Sequence, residues 1–124
     1  MASILIIDDD IQFRGMLREM LKLTGYDVEE ASNGKEGMRL YKENPFDLII
    51  TDIIMPEQEG IETIIELRRS FPDVKIIAIS GGGRINAEDH LQMAKALGAI
   101  QTLTKPFGRE KLVEAINKAI IGDK

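Results

Sequence analysis

The sequence predicts an α/β domain, in which a five-stranded parallel sheet is covered by helices on both faces in a doubly wound arrangement. Short runs of apolar and β-branched residues alternate with longer stretches of helical spacing, a pattern typical of βαβ units. Several runs are apolar at nearly every position, as expected where helices cover both faces of a sheet. A chain of 124 residues favours one domain, residues 1–124, with one core.

Five segments have the length and composition of strands. They are residues 4–7, 27–31, 48–51, 74–79 and 100–103. The first, third and fourth are almost continuously apolar, so we predict that they are central strands. The second carries polar residues at alternate positions, which is typical of an edge strand.

Helices are predicted between these segments from apolar residues at positions i, i+3 and i+4. The first combines Asp10 as its N-terminal cap with Gly25 as its C-terminal stop. Further helices are indicated around residues 61–65 and 112–120, and weaker patterns lie near Met38 and Leu91.

Charge and composition exclude several functional classes. The net charge of -5 argues against nucleic-acid or anionic-membrane partners, because both require a basic face. The absence of cysteine excludes disulfides and thiolate metal sites. The first apolar run is too short for a signal peptide or a membrane span. We expect a cytoplasmic protein without a separate DNA-binding domain.

Polar residues stand at the predicted carboxyl ends of four strands, where ligands bind in open parallel sheets. They are Asp8, Asp9 and Asp10 after the first strand, Asp52 after the third, Ser80 after the fourth and Thr104-Lys105-Pro106 after the fifth. Clustered carboxylates repel one another by roughly 4 kcal/mol per close pair at an effective dielectric near 20. A hard divalent cation, Mg²⁺ or Mn²⁺, would offset that repulsion.

This combination of residues suits phosphoryl transfer to a carboxylate. Asp52 is the best candidate for the nucleophile, since an apolar strand fixes its position and Met55-Pro56 is expected to turn the chain away and leave it exposed. Lys105 and the cation would neutralise charge on the phosphoryl oxygens. Ser80 would donate a hydrogen bond once the phosphate has arrived. We therefore expect a signalling switch and not a turnover enzyme.

The motifs in residues 4–10, 52–56 with Gly60, Ser80 and 103–107 together resemble those of response-regulator receiver domains, the phosphoacceptor modules of two-component signalling. The resemblance implies strand order 2-1-3-4-5, as in a flavodoxin-like fold. It also implies a partner that donates phosphate, either a sensor histidine kinase or a histidine phosphotransfer protein. The downstream protein is unknown, and the chain is expected to be a monomer or a phosphorylation-dependent dimer.

The resemblance implies a role for each site residue. Asp8 and Asp9 would form the acidic pocket, with Asp9 a direct metal ligand. Asp52 would be the phosphorylation site and a metal ligand, and the backbone carbonyl of Ile54 would be a further ligand. Ser80 would be the switch hydroxyl and Lys105 the phosphate-binding cation. The peptide bond before Pro106 would be cis.

Two features depart from the family pattern. Thr102 stands where receiver domains usually carry an aromatic switch residue, which puts the usual output face on the last two helices in doubt. The loop after Ser80 is longer than usual and contains Gly81, Gly82 and Gly83. We expect this loop, residues 80–90, to become ordered against the phosphate through its amide groups.

Two rival functions fit parts of the sequence. A pseudo-receiver would keep the fold and dock a partner without phosphorylation, and Thr102 favours it mildly. A haloacid-dehalogenase-like phosphatase would use the Asp-x-Asp spacing of Asp8 and Asp10, but Gln12 stands where that motif has Thr or Val.

Overall fold

The computed structural model describes residues 2–53, 59–80, 92, 95, 96, 98–105 and 107–121. Its strands are β1 (Ser3–Ile7), β2 (Asp27–Ala31), β3 (Leu48–Asp52), β4 (Ile76–Ser80) and β5 (Gln101–Thr104). Its helices are α1 (Ile11–Thr24), α2 (Gly34–Glu43), α3 (Glu59–Ser70) and the C-terminal helix (Arg109–Ile121). Residues 92, 95 and 96 are also helical.

The five strands form one parallel sheet in the order β2-β1-β3-β4-β5. The predicted fold class and strand order are confirmed. The register aligns Ile7 with Thr51, Asp52 with Ile79, and Ser80 with Thr104. The carboxyl ends of all five strands therefore lie along one rim of the sheet.

Successive side chains of the central strands enter two different apolar layers. Leu5, Ile49 and Ile76 face a layer that is completed by residues of α2 and α3. Ile4 and Ile50 face the opposite layer, which is completed by α1 and the C-terminal helix. Because both faces are covered, the strands have no polar face, which explains their unbroken apolar sequence.

The bounds of β2 agree with the prediction, and those of the other strands differ from it by one or two residues. The largest shift is in β4, which begins at Ile76 because Val74 belongs to the preceding turn and donates its backbone N–H to the carbonyl of Phe71. The predicted edge position of β2 is confirmed. Among the described helices, none combines the length and the apolar character that crossing a membrane requires.

The predicted caps of α1 are confirmed. Asp10 accepts hydrogen bonds through Oδ1 from the backbone N–H groups of Gln12 at 3.0 Å and Phe13 at 3.1 Å. Gly25 ends the helix with φ of 106°, a left-handed conformation that glycine adopts without a steric penalty. These caps fix where α1 leaves the strand-end rim.

Candidate functional site

Asp8 follows β1 directly and is held at the rim through its backbone and its side chain. Its N–H donates to the carbonyl of Ala31, and its own carbonyl accepts a 2.7 Å hydrogen bond from Nη1 of Arg14. Its Oδ1 accepts from the backbone N–H of Asp10 at 2.9 Å. Asp8 is 1% exposed. Because its backbone and Oδ1 are held by these bonds, the direction in which its second carboxylate oxygen points is fixed.

Burial is the main cause of the shift in the pKa of Asp8. Desolvation raises the pKa of its carboxyl, and Asp9 raises it further by charge repulsion. The hydrogen bond from Asp10 and the positive charge of Lys105 lower this pKa in part. The net shift is upward, so the stabilising effect of Lys105 and of the Asp10 N–H does not fully offset the desolvation of this carboxylate.

Three carboxylates meet where β1 and β3 end. One oxygen each of Asp8, Asp9 and Asp52 can be chosen so that all three lie within 4.8 Å of one another. Asp8 and Asp52 are buried, whereas Asp9 is exposed. The cluster therefore has a fixed inner side and one side open to solvent.

Lys105 brings the fixed positive charge to this cluster. Its backbone N–H donates to the carbonyl of Ser80 at 2.8 Å, which ties the end of β5 to β4. Its Nζ lies 3.4 Å from Oδ2 of Asp8 and 3.5 Å from Oδ2 of Asp52. One ammonium group thus contacts both buried carboxylates.

Two buried hydroxyls lie beside Asp52 and differ in their hydrogen bonding. Thr51 donates to the carbonyl of Asp52 at 3.2 Å. Ser80 is fully buried, yet its Oγ has no hydrogen-bond partner among the described residues. A buried hydroxyl without a partner is unusual in a native protein, and this hydroxyl is a candidate hydrogen-bond donor at the rim.

The sequence prediction was wrong about the exposure of Asp52. Its side chain is only 7% exposed, because β3 is flanked by β1 and β4 and Lys105 contacts the carboxylate. Thr102 is half-buried and pairs with Ala78, two residues before the level of Ser80. The remaining predicted residues, Ile54, Gly81, Gly82, Gly83 and Pro106, lie outside the described residues.

Sequence reasoning missed two residues of α1 that contact the site. Arg14 holds the carbonyl of Asp8 and forms an ion pair with Glu30 at 2.9 Å. Phe13 places its ring 3.9 Å from Nζ of Lys105, measured to the ring centroid. Neither has a distinctive signal in the sequence, since Phe13 belongs to the apolar stripe of the helix and Arg14 is one of 16 Lys and Arg residues.

The donor set fits a hard divalent cation. All described candidate ligands are carboxylate oxygens, which Mg²⁺ and Mn²⁺ prefer over softer ligands. Mg²⁺ commonly binds one or two carboxylates and retains several waters. The exposed side chain of Asp9 leaves space on the solvent side for such waters.

Comparison with known proteins gives a consistent result. Residues 4–117 match the family of response regulator receiver domains. The chain is 39% identical over 116 residues to a chemotaxis protein CheY of Thermotoga maritima, covering 93% of this chain and 94% of that protein. It is 35% identical to a transcriptional regulatory protein, a CpxR homolog of Haemophilus influenzae, and spans 98% of this chain but 51% of that protein.

The fold comparison agrees. A receiver domain of Clostridium thermocellum has a TM-score of 0.89 and 33% sequence identity, and the match covers 98% of this chain and 95% of that one. Similar domains therefore occur both as nearly whole proteins and as parts of longer regulators.

Proposed function

This chain belongs to the response regulator receiver domain family of two-component signalling, and on that premise we propose that Asp52 accepts a phosphoryl group in a reaction that depends on Mg²⁺ or Mn²⁺. The observation that carries this proposal is the convergence of Asp8, Asp9, Asp52 and Lys105 at one rim. The residues come from three different strand ends, so chance proximity along the chain does not explain it.

The proposed reaction is an in-line transfer of the phosphoryl group from a phosphohistidine. An Oδ of Asp52 attacks phosphorus, the bond between phosphorus and the imidazole nitrogen breaks, and the nitrogen keeps the electron pair. The product is an aspartyl phosphate, which water later hydrolyses to restore Asp52 and release inorganic phosphate. Two anionic reactants must approach each other, so positive charge at the rim lowers the barrier.

Each site residue has a separate task in this proposal. Asp8 and Asp9, with Asp52 and the backbone carbonyl of Ile54, bind the cation, which neutralises charge on the transferred group when bound. Lys105 supplies a second, fixed positive charge, and its Nζ already contacts the carboxylate of Asp52. The aspartates thus balance the cation, and Lys105 balances the phosphate.

Ser80 provides the link from chemistry to signalling. Its buried Oγ is without a partner in the resting state, and a phosphoryl group on Asp52 adds about -1.5 to -2 charge and three acceptor oxygens nearby. Donation from Ser80 to one of them would satisfy the hydroxyl and shift the end of β4. The following loop, including Gly81, Gly82 and Gly83, would reorganise with it.

The partners follow from the same chemistry. The phosphodonor is a sensor histidine kinase or a histidine phosphotransfer protein, and the phosphorylated form binds a further protein of the pathway. With Thr102 in place of an aromatic, the output does not depend on an aromatic side chain at that position. A single domain over residues 1–124, a cytoplasmic location and a monomer or phosphorylation-dependent dimer remain predictions.

The decisive experiment incubates the protein with acetyl phosphate and Mg²⁺ and measures intact mass. We expect one phosphoryl group per chain, loss of the label in hydroxylamine, and no label in Asp52→Asn or in the presence of a chelator. Thr51→Val, which alters the neighbouring residue without removing a carboxylate, should still be labelled.

The labelling experiment, together with an assay of phosphate release, separates the rival functions. Absence of any label in the wild-type chain with Mg²⁺ would favour a pseudo-receiver that docks partners without phosphorylation. Continuous release of phosphate from simple esters at many turnovers per chain would favour a phosphatase. Either outcome contradicts the proposed phosphoacceptor role.

A further inference from the structure

The ammonium group of Lys105 lies among three neighbours that differ in kind. Two are the carboxylates of Asp8 and Asp52, at 3.4 and 3.5 Å. The third is the aromatic face of Phe13, at 3.9 Å. An ammonium has three N–H donors, and a ring face within about 6 Å attracts a cation through its quadrupole.

The two carboxylates alone hold the ammonium loosely. Charge-assisted bonds between nitrogen and carboxylate oxygen are typically about 2.7–2.9 Å long, which is shorter than either distance measured for Lys105. A cation bound by Asp8 and Asp52 would repel the ammonium and weaken both contacts further. The attraction of an uncharged ring is not neutralised in this way.

The ring of Phe13 is itself held on two sides. Asp10 caps α1 by accepting from the backbone N–H of Phe13. Phe107, just beyond Lys105 in the chain, packs against Phe13 with centroids 5.9 Å apart and an interplanar angle of 86°, a favourable T-shaped geometry. The start of α1 and the segment after β5 therefore both help to keep this ring in place.

We propose that Phe13 is a positioning residue that keeps the ammonium of Lys105 at the acidic cluster through a cation–π contact, so that Lys105 remains in place when a cation binds. This inference rests on the proposed function only for its effect on rate. The positioning itself is a property of the unphosphorylated protein and can be measured without any phosphodonor.

The first test is NMR on the metal-free protein and on the protein with Mg²⁺. The ε-methylene protons of Lys105 should resonate upfield because they are carried close to the ring face, and Phe13→Leu should abolish this shift. Phe13→Tyr and Phe13→Trp should retain it. A wild-type shift equal to that of the exposed Lys22, or a shift that disappears on adding Mg²⁺, would overturn the proposal.

The second test measures labelling by acetyl phosphate. Phe13→Leu should slow it by roughly five- to tenfold, whereas Phe13→Tyr and Phe13→Trp should stay within about twofold of wild type. Met20→Ala is the matched control, because Met20 packs in the same apolar layer from the same helix and is not among the described contacts of Lys105. It should lower stability without lowering the labelling rate.

The outcomes of the two tests are distinguishable. Equal rates for Phe13→Leu and wild type, or equal loss in Phe13→Leu and Met20→Ala, would overturn the positioning role. Failure of the wild-type chain to be labelled would contradict the proposed function, and the NMR shift would still decide whether Phe13 positions Lys105.

Discussion

Ser80 and Thr51 carry buried hydroxyls on adjacent strands. Because the two hydroxyls differ in their hydrogen bonding, we expect removing them to change the free energy of unfolding in opposite directions. Thr51 donates to a backbone carbonyl, whereas the hydroxyl of Ser80 has no partner in the described part of the chain. A satisfied hydrogen bond contributes about 1 kcal/mol, and a buried polar group left unpaired costs about 1–3 kcal/mol. The hydroxyl of Ser80 is therefore expected to lower the stability of the unphosphorylated protein.

We expect Ser80→Ala to stabilise the unphosphorylated protein by about 1 kcal/mol, and Thr51→Val to destabilise it by a similar amount. Urea denaturation of both variants in the presence of a chelator measures the two changes in the free energy of unfolding. If Ser80→Ala were as destabilising as Thr51→Val, the hydroxyl of Ser80 would have a partner in the folded resting state.

Asp8 gives a second prediction, which concerns pH. Its pKa is raised on folding, chiefly by burial, so the folded protein binds this proton more tightly than the unfolded chain does. Above the raised pKa both states are ionised, and the folded state carries the full desolvation penalty. As pH falls below that pKa, the folded carboxyl is protonated, and the penalty shrinks until it is lost below the ordinary value of 3.8.

Asp8→Asn should therefore raise the melting temperature of the chelator-treated protein at neutral pH, and this advantage should shrink as the pH is lowered through the raised pKa. Scanning calorimetry at several pH values tests the sign. A variant less stable than wild type at neutral pH would mean that the attraction of Lys105 to Asp8 outweighs burial.

At the scale of the elements, α2 and α1 each contain an internal glycine in a different environment. A Cβ built on Gly37 would collide with Cδ1 of Ile7 and lie 2.8 Å from its Cγ1. Ile7 is fully buried, so it has little space to move away. A Cβ on Gly15 would meet nothing within 4 Å.

We expect Gly15→Ala to stabilise the protein by up to about 1 kcal/mol through helix propensity. Gly37→Ala gains the same propensity but overpacks the contact between α2 and β1, and we expect a net loss of about 1–2 kcal/mol. Comparing the thermal denaturation of the two variants separates the effect of packing from that of helix propensity. Equal stabilisation by both substitutions would show that Ile7 adjusts freely.

The elements also show how far sequence reasoning extends. The apolar runs of β1, β3 and β4 predicted central strands, and the alternation in β2 predicted an edge, because burial on one or two faces leaves a direct trace in composition. The meeting of Asp8, Asp52, Ser80 and Lys105 followed from their positions at parallel strand ends.

Contacts made across the site by side chains of α1 could not be predicted in this way. Phe13 has the same spacing as the apolar residues of the core, and only its position one turn after the Asp10 cap brings its ring to Lys105. The burial of Asp52 was missed because the reach of Lys105 over its carboxylate is a property of the assembled fold.

At the scale of the whole molecule, the acidic cluster connects cation binding to global stability. The chain carries a net charge of -5, and three of its carboxylates converge on one rim. A cation that binds only the folded arrangement stabilises it by mass action, by about 2.7 kcal/mol at a concentration 100 times the Kd. For a domain of this size the corresponding rise in melting temperature is on the order of 10 °C.

General screening of negative charge would also stabilise an acidic protein, so the ion and the site must be tested separately. We expect Mg²⁺ to raise the melting temperature far more than Na⁺ at matched ionic strength, and Asp9→Asn to abolish most of that difference. Asp9 is exposed, so its substitution should leave the core intact.

Asp27→Asn provides the matched control for Asp9→Asn. It removes the same charge from an exposed residue, but Asp27 begins β2 and lies at the opposite end of the sheet from the rim. Screening depends on net charge, so it would make the two variants respond alike to Mg²⁺. Binding at the rim would leave the Asp27→Asn response equal to wild type, and only that result is compatible with a cation held by Asp8, Asp9 and Asp52.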